Sequence, residues 1–176
     1  IIPAYNPDEH LIGVLDGLKK YKVVVVDDGS KDKTWDIICE LNDENKLFSG
    51  INLSRNRGHQ NALVAGLMTA KEHADVVISM DADLQDPPAL LSEMYDYVKS
   101  GEYDSAATYR VTRKGEPPIR SFFARQFYKL INKMIDVEIV DGARDYRLMN
   151  RKMVDAIISL PEYNRFSKGI FSWVGF

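Results

Sequence analysis

The four consecutive valines at 23–26, closed by Asp27-Asp28-Gly29-Ser30, constrain the fold more than any other stretch of this chain. A strand shows alternate residues to opposite sides, so a β-branched run without polar alternation has to be buried on both faces. Such a strand belongs inside a parallel sheet covered by helices, and DDGS has the turn chemistry of a strand handing over to a helix.

The rest of the first two thirds repeats that alternation. Residues 1–4 read as a strand end, followed by a Tyr5-Asn6-Pro7 loop and a helix with Asp8 as its cap and Leu11, Leu15 and Leu18 on one face. A helix is predicted over 33–42, with Ile37, Ile38 and Leu41 at helical spacing, then a strand over 47–53 and a loop over 55–58. The segment 59–73 is helical in pattern, and its small residues Ala62, Ala65 and Gly66 permit close packing on a sheet. A strand from Val76, a helix over 87–99 and a strand over 103–108 complete the series. The expected fold is therefore α/β, with a mostly parallel central sheet flanked by helices and ligands at the carboxyl ends of its strands.

Carboxylates dominate those ends. In VVISMDADLQDPP an apolar run leads into Asp81 and Asp83, and a chain that turns after Met80 brings both, with the Gln85 amide, onto one divalent cation. An all-oxygen set of that kind suits Mg2+ or Mn2+, and such a cation would hold a diphosphate. The plainer reading of acidic residues after a strand is helix capping, and Asp86 before Pro87-Pro88 is assigned that role. Neither a GxGxxG nor a Walker A glycine loop is present, which argues against a dinucleotide-binding Rossmann domain or a P-loop NTPase.

Length and composition narrow the class further. The 176 residues, 45% hydrophobic and 28% charged, suffice for one domain with a real core. The net charge of -3 leaves no nucleic-acid footprint. The single cysteine, Cys39, excludes an internal disulfide or a cysteine metal cluster, and its place in the Trp35, Ile38, Cys39 pattern marks it as buried filler. No apolar run approaches the roughly 20 residues that span a bilayer.

Beyond residue 108 the character changes. Arg110, Arg113, Lys114, Arg120 and Arg125 surround Gly115 and Pro117-Pro118 ahead of a helix carrying Phe123, Phe127, Leu130, Ile131 and Met134. This is either a solvated loop with a core-facing helix or a site for anionic phosphate beside a membrane surface. The stretch 141–151 reads as a turn, a short strand and the start of a helix reaching residue 160. In RFSKGIFSWVGF, Arg165 and Lys168 stand three apart, so that on a helical turn both face one way. The aromatics Phe166, Phe171, Trp173 and Phe176 are too many to be exposed without a partner.

IIPAYN, VVVVDDGS, LSRNRGHQNALVAGL, DADLQDPP, DGARDYRL and RFSKGIFSWVGF, in that order, resemble the family 2 glycosyltransferases of GT-A fold, and more narrowly their polyprenyl-phosphate glycosyltransferases. The resemblance runs nearly end to end and implies one catalytic domain over 1–176, with a nucleotide-sugar half (1–108) and an acceptor half (109–176). Bacterial relatives usually continue into transmembrane helices beyond the WVGF segment. Pro3, Ala4, Tyr5 and Asn6 would line the nucleotide pocket, Asp27 or Asp28 would accept from base or ribose, and Gly58 and Asn61 would border the base. Asp81 and Ala82 would lie near the ribose and the metal, with Asp83 and Gln85 also on the cation. His59 would border the donor, while His10 and His73 are surface residues. Arg165 and Lys168 would neutralise the leaving diphosphate together with the cation.

The implied reaction is inverting transfer of a hexose, UDP-glucose favoured as donor, to a polyprenyl (undecaprenyl) phosphate. That acceptor is already anionic near pH 7, so positioning matters more than proton removal. Arg110 and Arg120, with Arg125 in reserve, would hold its phosphate. Asp145 acts as a base, orients the acceptor, or forms an ion pair with Arg144 or Arg147. The same resemblance implies association with the cell membrane, the catalytic domain facing the cytoplasm, and leaves a homo-oligomer open. Three readings compete: transfer to a soluble glycan or polysaccharide, a silent nucleotide-sugar-binding protein, and a phosphatase-type DxD nucleophile pair.

Overall fold

The computed structural model describes residues 1–7, 10–83, 85–109, 126, 143–161 and 167–175. Strand β1 (Ile2–Ala4) leads to helix α1 (His10–Asp16), β2 (Val23–Asp27), α2 (Thr34–Glu44), β3 (Phe48–Asn52), α3 (His59–Ala70) and β4 (Val76–Ser79). A 3-10 turn (Pro88–Leu90) precedes α4 (Leu91–Lys99) and β5 (Ser105–Tyr109); β6 (Ala143–Asn150), α5 (Arg151–Ser159) and α6 (Ser167–Trp173) follow.

The valine strand β2 lies between β1 and β3 and is parallel to both. Val23 and Val25 enter one core, while Val26 faces α3 on the other side, where a Cβ on Gly66 would come within 3.2 Å of its Cγ2 and 2.3 Å of Ile1 Cγ2. Gly66 thus sets how closely α3 approaches the sheet. The remaining strands form an antiparallel set in the order β4-β6-β5. Ile1 joins the two sets, its N donating to Ile78 O (2.6 Å) and its O accepting from Met80 N (2.9 Å), the hydrogen-bond pattern of a parallel pair. The parallel half bears out the alternating strand–helix reading, and β6 enters against that direction because it comes from far along the chain.

Two apolar clusters cover the two faces. Leu11, Val14 and Leu15 of α1, Ile38 of α2 and Leu91, Met94 and Val98 of α4 pack with Ile2, Val23, Val25, Tyr146 and Leu148. On the other face Leu63 and Leu67 of α3 pack with Val77, Met149, Met153, Val154, Ile157 and Phe171. Phe171 is therefore covered by the fold itself, whereas Trp173 stays 62% exposed. Cys39 is exposed, contrary to the expectation of buried filler. The buried stripe of α2 runs through Thr34 and Ile38, and Cys39 lies one helical step beyond it.

Candidate functional site

The polar loops after β1, β2 and β3 are tied into one floor. Asn6, held at φ 49°, donates its N–H to Ser30 Oγ (3.0 Å), and its Oδ1 accepts from Lys31 N (2.9 Å). Asp27 accepts from Ser30 N through Oδ1 (2.9 Å). Asp28 accepts from Arg57 N through Oδ1 (2.6 Å) and from Gly58 N through Oδ2 (2.8 Å). Both aspartates are buried, so these backbone donors are what makes their burial tolerable. Gly29 sits at φ +69°, where a Cβ would fall 2.5 Å from Arg55 C and 2.7 Å from Asn56 N. Only glycine lets the β2 and β3 loops meet there. Asn61 Nδ2 in turn donates to Arg57 O (2.8 Å). Pro3 and Ala4 are buried within β1, and Tyr5 and Asn6 emerge from it exposed.

The second wall is the bend after β4. Its carboxylates are held from both sides by β6, which presents alternate residues to opposite faces. On one face Asp145 Oδ2 lies 3.7 Å from His59 Nε2, and the same nitrogen lies 3.8 Å from Asp81 Oδ1. Further along, Arg147 donates to Ser105 Oγ (3.1 Å) and its guanidinium stacks 4.7 Å from the Phe171 ring centroid. On the opposite face Arg144 meets Gln85 and Asp86, and Tyr146 Oη donates to Pro87 O (3.0 Å). Ser79 Oγ donates to Asp145 O (2.5 Å), fastening the end of β4 to β6. The β5–β6 ladder is irregular here: Ala107 pairs with Arg147 but Tyr109 with Ala143, so residues 144–146 bulge where the site lies.

The electrostatics follow from that crowding. Burial pushes the Asp81 carboxyl above its ordinary value; His59 and Arg144 pull it down, and Asp145 and Asp83 push it further up. Asp86 is also raised, by burial first, against the pull of the Asp81 N–H and Arg144. Tyr146 is raised by burial and by the Asp86 charge. Asp83 is exposed and accepts from Gln85 N (3.0 Å).

Asp81 and Asp83 fit a hard divalent cation: they are oxygen donors, and their mutual repulsion is a deficit of positive charge that a cation would relieve. Among the described residues no three His, Cys, Asp or Glu side chains assemble as a closed metal site. Two carboxylates leave coordination positions for diphosphate oxygens and water. The third expected donor, Gln85, has its Oε1 3.3 Å from Arg144 Nη2, so here its amide oxygen is engaged by a guanidinium.

The structure brings Asp81, Asp145 and His59 together, with Asp83 on the same bend as Asp81; Asp28 anchors Arg57 and Gly58 of the loop that leads into His59, and Asn61 follows in the first turn of α3. His10 and His73 are exposed, as expected of surface residues. Asp86 is not a helix cap: the residue before the 3-10 turn is Pro87, and the Asp86 carboxylate instead accepts from Asp81 N (3.1 Å) and faces Arg144 Nε (3.3 Å). Arg144 turns to Gln85 and Asp86, whereas Asp145 faces His59, and of the two arginines proposed as its ion-pair partner Arg147 is the one whose charge its carboxylate favours. Sequence reasoning missed Arg144 and Tyr146 as supports of the carboxylate bend. The alternation of Arg144, Tyr146 and Leu148 was the signal available. Arg110, Arg120, Arg125 and Arg165 lie outside the described residues, as does the Lys168 side chain, although α6 includes its backbone. No helix among the described residues is long and apolar enough to cross a membrane.

Residues 1–158 match the model of glycosyl transferase family 2. An uncharacterized glycosyltransferase of Synechocystis is 43% identical over 184 residues, covering 100% of this chain and 57% of the relative. The bactoprenol glucosyl transferase of Shigella phage SfV is 37% identical over 185 residues, covering 99% of this chain and 59% of its own length. The chain thus spans a little over half the length of these relatives. Among solved structures, glucosyl-3-phosphoglycerate synthase from Mycobacterium tuberculosis, in complex with Mn2+ and UDP-glucose, superposes with a TM-score of 0.56 at 20% identity, covering 86% of this chain and 55% of the other. A parallel strand–helix half with carboxylates at its mouth, an antiparallel strand behind them and a family match over most of the sequence converge: this chain belongs to glycosyltransferase family 2 and has the GT-A fold.

Proposed function

We propose that this protein is an inverting glycosyltransferase that moves a hexose, UDP-glucose favoured as donor, from a nucleotide sugar to a polyprenyl phosphate. The observation that carries the reading is the placing of His59 between Asp81 of the carboxylate bend and Asp145 of β6, with Asp83 on the same bend, in a chain similar to a bactoprenol glucosyl transferase. Asp81 and Asp83 hold Mg2+ or Mn2+, with Gln85 as a further donor if it leaves Arg144. A cation bound there supplies charge neutralisation for the leaving diphosphate. The floor made by Pro3 to Asn6, Asp27, Asp28, Gly58, Asn61 and Ala82 seats the nucleotide and sugar. Asp28 contributes by fixing the 57–58 backbone.

Arg165 and Lys168 add positive charge at the leaving group, and Arg110, Arg120 and Arg125 hold the acceptor phosphate. A phosphate monoester needs little help to lose its proton near neutral pH, so Asp145 orients the acceptor more than it activates it. The protein works at a membrane surface, where the lipid acceptor is found, with its catalytic domain on the cytoplasmic side.

A second reading, transfer to a sugar hydroxyl of a soluble glycan, is favoured by the Asp145 carboxylate, which lies within 3.7 Å of a histidine and could serve as a base. One experiment separates the two. Purified protein in detergent is supplied with undecaprenyl phosphate, a panel of nucleotide sugars, and Mn2+ or EDTA. The expected product is a lipid-phosphate sugar, lost with EDTA and in Asp83→Ala, and reduced far less in Asp145→Asn. Binding of nucleotide sugars without any lipid product would refute the lipid acceptor and move the search to glycans.

A further inference from the structure

We propose that Arg144, with Asp86 and Tyr146, is a positioning clamp through which β6 sets the shape of the bend carrying Asp81 and Asp83. The inference rests on the reading of that bend as the cation and diphosphate site. None of the three residues is itself a ligand in that reading, and each acts on the bend from behind.

Four attachments converge. The Asp81 N–H donates to Asp86 Oδ2 (3.1 Å), fixing the first carboxylate's backbone. Arg144 uses all three guanidinium nitrogens: Nη1 toward Gln85 O (3.5 Å), Nη2 toward Gln85 Oε1 (3.3 Å) and Nε facing Asp86 Oδ1 (3.3 Å). Tyr146, fully buried, holds Pro87 O. Gln85 passes the restraint to the second carboxylate, because its N–H donates to Asp83 Oδ1 (3.0 Å).

Asp86 makes the arrangement specific. It is 4% exposed, and among the described residues its Oδ1 has no hydrogen bond, only the guanidinium facing it. A buried carboxylate held this way needs its counter-ion. A lysine offers one point charge where the site presents oxygens in three directions, which the planar fork of arginine matches.

Outer groups that orient metal-binding carboxylates typically account for about 10–100-fold in metal affinity. The test uses Arg144→Met, Arg144→Lys and the milder Tyr146→Phe, each checked for cooperative unfolding. Mn2+ binding in the presence of UDP is measured from the free-Mn2+ paramagnetic resonance signal, and exchange of the Asp81 and Gln85 amides by NMR without ligand. Arg144→Met should bind Mn2+ at least about 10-fold more weakly and exchange both amides faster. Arg144→Lys should recover part of the loss, and Tyr146→Phe should shift both readouts in the same direction by less. If the parent binds Mn2+ with UDP and folded Arg144→Met and Tyr146→Phe bind it within twofold of the parent, the clamp is refuted while the donor site stands. If the parent itself binds no Mn2+ with UDP, the donor reading falls and the proposal with it.

Discussion

Asp28 offers the sharpest quantitative test of how the site floor is built. Its two oxygens accept from Arg57 N and Gly58 N at 2.6 and 2.8 Å, and the residue is 2% exposed. A hydrogen bond to a charged group contributes about 1.5–3 kcal/mol, so the pair is worth about 3–6 kcal/mol before compensation. Two effects reduce that figure in Asp28→Ala. Gly58 N keeps a second acceptor, Asn56 Oδ1 at 3.1 Å, and the variant no longer buries a charge. The expected net loss is about 2–3 kcal/mol. Asp28→Asn preserves shape and separates geometry from chemistry. An amide supplies one acceptor and turns its NH2 against the other backbone N–H, so it should be destabilised by at least about 2 kcal/mol despite its fit. With a urea m-value of about 2 kcal/mol/M, either variant lowers the unfolding midpoint by roughly 1 M. The floor loosens with it, so UDP should bind more weakly. An asparagine variant within about 0.5 kcal/mol of the parent would show that the carboxylate does not anchor the loop.

Three further outcomes follow from the geometry. Gly29→Ala should be destabilised by more than about 1 kcal/mol, since both its positive φ and the Arg55 backbone 2.5 Å from the new Cβ oppose it; Gly66→Ala, where only side chains must shift, should cost about 1–3 kcal/mol in the same urea titration. Because burial raises Asp81 above the ordinary 3.8, the native state binds more protons than the unfolded chain from that pH up through the folded value. Stability attributable to Asp81 therefore falls as pH rises through this window. Asp81→Asn should remove that slope and unfold at a higher temperature than the parent at pH 7 in metal-free buffer, while losing Mn2+ binding. Tyr146→Phe should cost about 0.5–1.5 kcal/mol for the lost bond to Pro87 O, read as a lower thermal midpoint.

The parts of this molecule legible in sequence are those written in local pattern. The unbroken valines can only be a covered central strand, Gly66 among small residues marks a close approach, and carboxylates crowd the ends of apolar runs. Asp86 shows the opposite case. Asp-Pro-Pro ahead of a helix is a genuine capping signal, but its carboxylate is claimed by an arginine from a strand much later in the chain. Local chemistry cannot rank a nearby orphan N–H against a distant guanidinium. The antiparallel entry of β6 was hidden for the same reason, since pairing with β4 depends on tertiary placement. What could have been read is the alternation within β6, which sets Arg144 and Tyr146 on the face away from Asp145 and Arg147.

That alternation has an evolutionary consequence. In β6 the number of residues matters to the site as much as their identity. Losing or gaining one residue within the regular part of the strand, 147–150, would send Asp145 toward Asp86 and Arg144 toward His59, exchanging acid and base between the two places in one event. Substitution can explore this strand one position at a time, while insertion and deletion cannot. The irregular β5–β6 ladder beside Ala107 and Tyr109 is where a length change could be absorbed with the phase of residues 147–150 left intact.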